Sequence, residues 1–155
     1  MKYKLKNMSV VNLWVHIVWI TKLRKPFLRG SFKWKLYKHI RANADEKNIH
    51  IDFINGTEDH IHCLIKLKST QSLSSVVQQL KGESSKWIND QGLTEDYFEW
   101  QHGYGVFSVS QTERQRVYDY ILYQEKHHQK MSCQDEFRKI LQRFEISFDE
   151  RYVWD

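Results

Sequence analysis

Two strand-like runs, residues 49–54 and 60–67, are separated by a short polar link and flanked on either side by a stretch of helical periodicity. A hairpin caught between two helices leaves few arrangements, because sequential elements pack as neighbours and bury their apolar faces on one another. Asn55-Gly56 marks the hairpin turn. Upstream, Phe32, Leu36, Ile40 and Ala44 recur every four residues and predict a helix over 31–47. Downstream, Leu73, Val76, Val77, Leu80, Trp87 and Ile88 predict a second over 71–89. Residues 10–21, rich in β-branched and aromatic side chains, read as a first strand and 104–109 as a short fourth. Ser110-Gln111-Thr112-Glu113 fits a capping box opening a helix that runs to about His128, and 132–144 reads as a last short helix. The order predicts an α+β fold, a ferredoxin-like or RRM-like βαββαβ sandwich with an antiparallel sheet plus C-terminal helices. That architecture hosts many functions and does not choose among them.

A chain of 155 residues, 41% of them hydrophobic, with one proline and no repeat or Gly/Ser linker, is expected to form a single domain over 1–155. No apolar run is long enough to span a membrane, and the first twenty residues lack the pattern of a signal peptide. Cys63 and Cys133 make no disulfide framework and no paired zinc motif, and Cys63 reads as a buried strand residue. A soluble cytoplasmic protein is expected. Its charge is uneven: residues 1–44 hold eleven Lys or Arg and no acid, whereas the rest hold thirteen bases against nineteen acids. That asymmetry predicts a polyanion along the N-terminal third, where Phe27, Phe32, Trp34 and Tyr37 offer rings on which the bases of a single strand can stack. A solvated basic surface over ordinary core aromatics is the plainer alternative.

Within 60–67, His60, His62, Leu64 and Lys66 share one face of the strand, and Ile61, Cys63, Ile65 and Leu67 share the other. The apolar set should pack against the helices, leaving the histidines on the open face of the sheet. Two imidazoles about 7 Å apart at the backbone can converge on one divalent ion. Exposed-face histidines are commonly plain polar residues, and two ligands need a third. Residues 116–128, RVYDYILYQEKHH, offer Gln124, Glu125, His127 and His128 as ligands and Tyr118, Tyr120 and Tyr123 as hydroxyls. Tyr120 and Gln124 stack on one helical face, while Val117 and Ile121 form a neighbouring stripe expected to face the sheet. A ligand one turn from a phenol would bring that phenol beside a metal, which suits attack by a tyrosine on a polarised phosphate. An amphipathic helix with tyrosines at its core margin gives the same pattern.

In conjunction these segments resemble the small single-tyrosine transposases of bacterial insertion sequences (the insertion-sequence 200/605 type and the REP-associated transposases), members of the HUH endonuclease superfamily. The His-hydrophobic-His motif matches His60-Ile61-His62, preceded by the acidic Asp59. The tyrosine helix, Y-I-x-x-Q followed by H-H, matches Tyr120 to Gln124 and then His127-His128. VHIVWITKLRKPFL with Thr21-Lys22, LKGESSKWI from Leu80, WQHGYGVFSVS from Trp100, and the terminal DEFRKIL and DERYVWD are also similar, in the family's order.

The resemblance implies the HUH endonuclease fold and a transposase that nicks and rejoins single-stranded DNA at hairpin-containing element ends. Tyr120 would be the nucleophile, leaving a 5′-phosphotyrosine, and among the tyrosines only it stands four residues before Gln124. His60, His62 and Gln124 would hold Mg²⁺ or Mn²⁺, with no nucleotide cofactor; imidazole ligands favour Mn²⁺. It also implies a homodimer, with the tyrosine helix serving its own or the partner's histidines. Lys22, Arg24 and Lys25, with Lys81 and Lys86 on the second helix, are the expected DNA phosphate contacts. Rival readings are a non-catalytic, domesticated binder of single-stranded DNA or RNA hairpins, a metallohydrolase using metal-bound water, and a plain interaction domain.

Overall fold

The computed structural model of the protein describes residues 9–151. Lys2, Lys4 and Lys6 of the basic third, and the last four residues of DERYVWD, lie outside the described residues. The elements are β1 (Leu13–Ile20), α1 (Gly30–Glu46), β2 (His50–Gly56), β3 (His60–Leu67), α2 (Leu73–Asp90), β4 (Gly105–Val109), α3 (Arg114–Leu122), α4 (Gln124–His128) and α5 (Cys133–Arg143), with a 3-10 turn at Lys22–Arg24. The four strands form one antiparallel sheet in the order β2-β3-β1-β4, the expected α+β sandwich. No helix among the described residues is long and apolar enough to cross a membrane.

Period-two alternation divides the sheet into two unlike faces. On one, Ile17, Trp19, Ile61, Cys63 and Ile65 pack against Leu36 and Ile40 of α1 and Val77, Leu80 and Ile88 of α2. Ile17, Ile61 and Ile65 are fully buried, and each such side chain contributes about 1.5–3 kcal/mol of transfer free energy. The other face carries Trp14 and His16 of β1, His60, His62 and Leu64 of β3, and Phe107 and Val109 of β4. The expectation that it is open is wrong. Ile121 of α3 packs on Trp14, Leu64 and Val109, and Leu141 of α5 packs on Val18 and Phe107. The C-terminal helices therefore roof the histidines, and His60 and His62 are 0% and 1% exposed.

Two local departures from the sequence reading matter for the site. Asn55 and Gly56 are not the turn; they extend β2 and pair with His62 and Ile61, so the chain reverses over residues 57–59. Gly56 is required by proximity, since a Cβ there would lie 2.0 Å from the His60 carbonyl oxygen. The helix expected from the capping box to His128 is also broken. Ser110 Oγ accepts from the Glu113 amide at 3.3 Å, but the helix begins only at Arg114 and is interrupted at Tyr123 (φ −96°, ψ 25°). The cause is Asn55, whose buried amide donates to the carbonyls of Ile121 (3.0 Å) and Leu122 (3.1 Å), oxygens that continuing helix amides would otherwise use.

Candidate active site

The site is assembled at the start of β3. His60 and His62 project from the same face with ring centroids 5.0 Å apart, and each has its Nδ1 engaged from behind. His60 Nδ1 lies 2.6 Å from Asp59 Oδ1 and 2.9 Å from Thr57 Oγ1. His62 Nδ1 lies 2.7 Å from His16 Nε2, and the two rings stack at 5.0 Å. Burial, and then the neighbouring His62, push the His16 pKa down to about 3. His16 is therefore neutral, and one of these two nitrogens donates its proton to the other. An outer partner on each Nδ1 orients both rings so that their Nε2 atoms face a common point.

Three further side chains reach that point. Gln124, fully buried at the start of α4, donates to the Tyr120 carbonyl (3.2 Å) and turns its Oε1 to 3.4 Å from His60 Nε2. Tyr120, on α3, has its ring 5.9 Å from His62 and stacked on His127 at 5.1 Å. Glu136, on α5, sends its carboxylate between them. Its Oε1 is 3.1 Å from His62 Nε2 and its Oε2 is 3.5 Å from His60 Nε2. The Tyr120 hydroxyl donates to Oε1, and His128 Nε2 pairs with Oε2.

The electrostatics follow from burial and neighbours. Burial opposes ionisation of Glu136, yet His62, His128 and His60 hold its carboxyl well below the usual carboxylate range. Burial likewise opposes a charge on His60, but Asp59, Cys133 and Glu136 raise its pKa well above the ordinary value. Burial lowers that of His62, and burial together with Glu136 raises that of the Tyr120 phenol. Beside the ionised carboxylate, His60 is thus pushed toward its charged form and His62 toward the neutral ring.

At the convergence point His62 Nε2 is buried without a well-aligned hydrogen bond, although Glu136 Oε1 is 3.1 Å away. A proton on that nitrogen or a cation between the two groups would satisfy the contact. The donor atoms of His60, His62 and Glu136 all lie within 4.8 Å of one another, and two nitrogens with oxygen donors suit a divalent ion. Clefts open on both sides. One, of about 450 Å³, is bounded by the 101–105 loop and Phe137 beside the histidines. The other, of about 700 Å³, runs past Tyr120 and His127 and is edged by Arg116, Lys139 and Arg143.

One chain therefore brings together all four residues singled out for the chemistry, Tyr120, His60, His62 and Gln124. The other tyrosines point elsewhere: Tyr118 stacks on Phe53 at 4.2 Å, and Tyr123 is exposed. The expected DNA contacts are scattered. Lys22 pairs with Glu99 at 2.8 Å, Lys25 lies near the Phe27 ring, and Arg24 sits in the 3-10 turn at φ +52°. Lys81 donates to the carbonyls of Gln101 (2.8 Å) and Gly103 (2.6 Å), bracing the loop beside the histidines, and Lys86 pairs with Asp90 on its own helix. Sequence reasoning missed His16, Asn55 and Glu136. His16 alternates correctly with Trp14 and Val18 along β1, and Glu136 interrupts the apolar stripe of Phe137, Ile140 and Leu141, so a signal existed for both.

Residues 9–124 match the family profile described as "Transposase IS200 like". This chain belongs to the IS200-like transposase family. The transposases for insertion sequence element IS200 of Salmonella typhimurium and Salmonella typhi are each 31% identical to it over 114 residues, covering 70% of this chain and 74% of theirs. Two solved structures share the fold. A Deinococcus radiodurans protein assigned as a transposase superposes with a TM-score of 0.62 at 23% identity, over 79% of this chain and 98% of that one. The REP-associated tyrosine transposase bound to a REP hairpin gives 0.59 at 17%, over 82% and 74%. The IS200-like match spans both histidines, Tyr120 and Gln124 but ends before α5, so Glu136 lies outside it.

Proposed function

We propose that this IS200-like transposase cuts and rejoins single-stranded DNA through a 5′-phosphotyrosine on Tyr120, with Mg²⁺ or Mn²⁺ held by His60, His62 and Gln124. The observation that carries this reading is the convergence of one phenol and two Nδ1-anchored histidines in a single buried cluster. The unsatisfied Nε2 of His62 and the adjacent Gln124 oxygen fit such an ion. A divalent cation bound there would polarise a non-bridging phosphate oxygen and offset the charge that develops on it.

The protein's own residues supply the rest. Tyr120 forms the bond to phosphorus and loses its proton, and the 3′ oxygen leaves and gains one. A second 3′-hydroxyl then attacks the phosphotyrosine, reseals the strand and frees Tyr120, so that no nucleotide cofactor is consumed. Gln124 and His127 hold the phenol's helix and ring against the histidines. The two clefts flank this point, and a single strand laid along them passes the nucleophile. Lys22, Arg24 and Lys25, with Lys81 and Lys86 farther along, position the backbone without reading sequence. Hairpin DNA is the substrate class suggested by the hairpin-bound structural relative. Two copies of the chain would engage the two element ends, although one copy contains every residue of the set.

The test uses single-stranded oligonucleotides from the DNA flanking the gene, incubated with the protein and Mn²⁺ and resolved on a denaturing gel. A covalent adduct that disappears in Tyr120→Phe supports the reading. Cleavage without an adduct points to a water-activating metallohydrolase, and binding without either favours a non-catalytic hairpin binder.

A further inference from the structure

Glu136 belongs to none of the family's matched segment, yet it occupies the centre of the site. We infer that Glu136 is itself a ligand of the divalent ion, delivered by α5, so that the C-terminal helix completes the metal centre with a carboxylate. This deepens the proposed function and rests on its metal site.

Geometry carries the argument. Mg²⁺ and Mn²⁺ take oxygen and nitrogen donors near 2.1 Å in an octahedron, which places adjacent donors about 3 Å apart. The spacings here are 3.1 Å from His62 Nε2 to Glu136 Oε1, 3.5 Å from His60 Nε2 to Glu136 Oε2, and 3.4 Å from His60 Nε2 to Gln124 Oε1. They match the edges of one octahedral coordination shell. Glu136 is 4% exposed, and His62 Nε2, which faces it, has no hydrogen-bond partner. The donor atoms of His60, His62 and Glu136 all lie within 4.8 Å of one another, and two imidazole nitrogens with carboxylate and amide oxygens suit a divalent cation.

The placement of Glu136 is also built. Ser132 caps α5 by accepting from the Asp135 amide at 3.1 Å, and Leu141, with Phe137 and Ile140 beside it, anchors the helix on Val18 and Phe107. The same carboxylate accepts from the Tyr120 hydroxyl. A single side chain thus ties the nucleophile to the metal centre, and a hard oxygen ligand offsets the otherwise nitrogen-rich set that disfavours Mg²⁺.

The experiment is calorimetric titration of Mn²⁺ alone into the full-length protein, without DNA, comparing wild type, His62→Ala, Glu136→Ala and the isosteric Glu136→Gln, each checked by thermal melting. We expect measurable binding by the wild type and none by His62→Ala. Both Glu136 variants should bind at least about tenfold more weakly, the scale on which even outer-shell partners act. If His62→Ala abolishes binding while Glu136→Gln, folded as judged by its melting curve, binds like wild type, the carboxylate is not a ligand and only this inference fails. If the wild type binds no Mn²⁺, or His62→Ala binds as well as wild type, the metal reading fails with it.

Discussion

The two faces of strand β3 do different work with alternate residues of one short segment. Ile61, Cys63 and Ile65 point into a dry interface with α1 and α2, where nothing but shape and apolar area matters. His60 and His62, one residue away on either side of Ile61, point into an equally buried environment filled with hydrogen-bonding and charged groups. Burial on the first face stabilises the fold. On the second it costs free energy that partners must offset, and what results is a fixed set of lone pairs. A one-residue slip in register would exchange the two faces and lose both, which is why the crowded strand end at Gly56 matters to the chemistry as well as to the fold.

Substituting neighbours on opposite faces breaks the comparison most sharply. His62→Ala should abolish single-strand cleavage while leaving hairpin binding largely intact, as read by a gel assay beside a mobility shift; undiminished cleavage would remove the metal-site argument. Its neighbour Ile61→Ala should do the reverse. It leaves a cavity in the α1/α2 interface worth about 2–5 kcal/mol, visible as a lower urea midpoint, and the molecules still folded should cleave normally. Loss of intrinsic activity in that variant would mean the faces are not independent.

A subtler pair separates His16 from the ligands themselves. It holds His62 Nδ1 at 2.7 Å but does not reach the convergence point. His16→Ala should weaken Mn²⁺ binding about 10–100-fold without eliminating it, placing it below His62→Ala. A titration showing complete loss would make His16 a direct ligand, and no loss would mean that the strand and its packing alone orient the ring.

The order of elements and the apolar face were legible in the sequence because both rest on local periodicity. Steps of four in 32–44 and alternation in 60–67 are properties of the segments themselves. The roofing of the second face was not legible, since the amphipathic stripe of α5 does not say which surface it will cover. Tyr120, Gln124 and the two histidines were found as a pattern whose parts lie 64 residues apart between His60 and Gln124. Glu136 escaped because a carboxylate in a charged helix reads as solvated, and only the packing of Phe137, Ile140 and Leu141 turns it inward. His16 escaped because its alternation with Trp14 and Val18 gives its face but not the His62 ring it meets there.

The break between α3 and α4 was invisible for a related reason: its cause sits on β2, 66 residues earlier. Asn55 takes the carbonyls of Ile121 and Leu122, and that capture lets the chain restart at Gln124 with its amide aimed at His60. Removing it should have the smallest effect of the series on stability. Each such hydrogen bond is worth about 0.5–1.5 kcal/mol net, but Asn55 Oδ1 is itself buried without a partner, so Asn55→Ala discards an unfavourable group along with two favourable bonds. A net loss of about 1 kcal/mol is expected from urea unfolding. The effect on the site should be out of proportion to that figure. With the carbonyls free to accept from helix amides, α3 and α4 can rejoin, and the roughly 100° per residue of a continuous helix then sets the direction of Gln124 in place of the kink. Weaker Mn²⁺ binding in a protein of almost normal stability would assign Asn55 to the second face of the sheet; unchanged Mn²⁺ binding would show that the kink is held by other contacts.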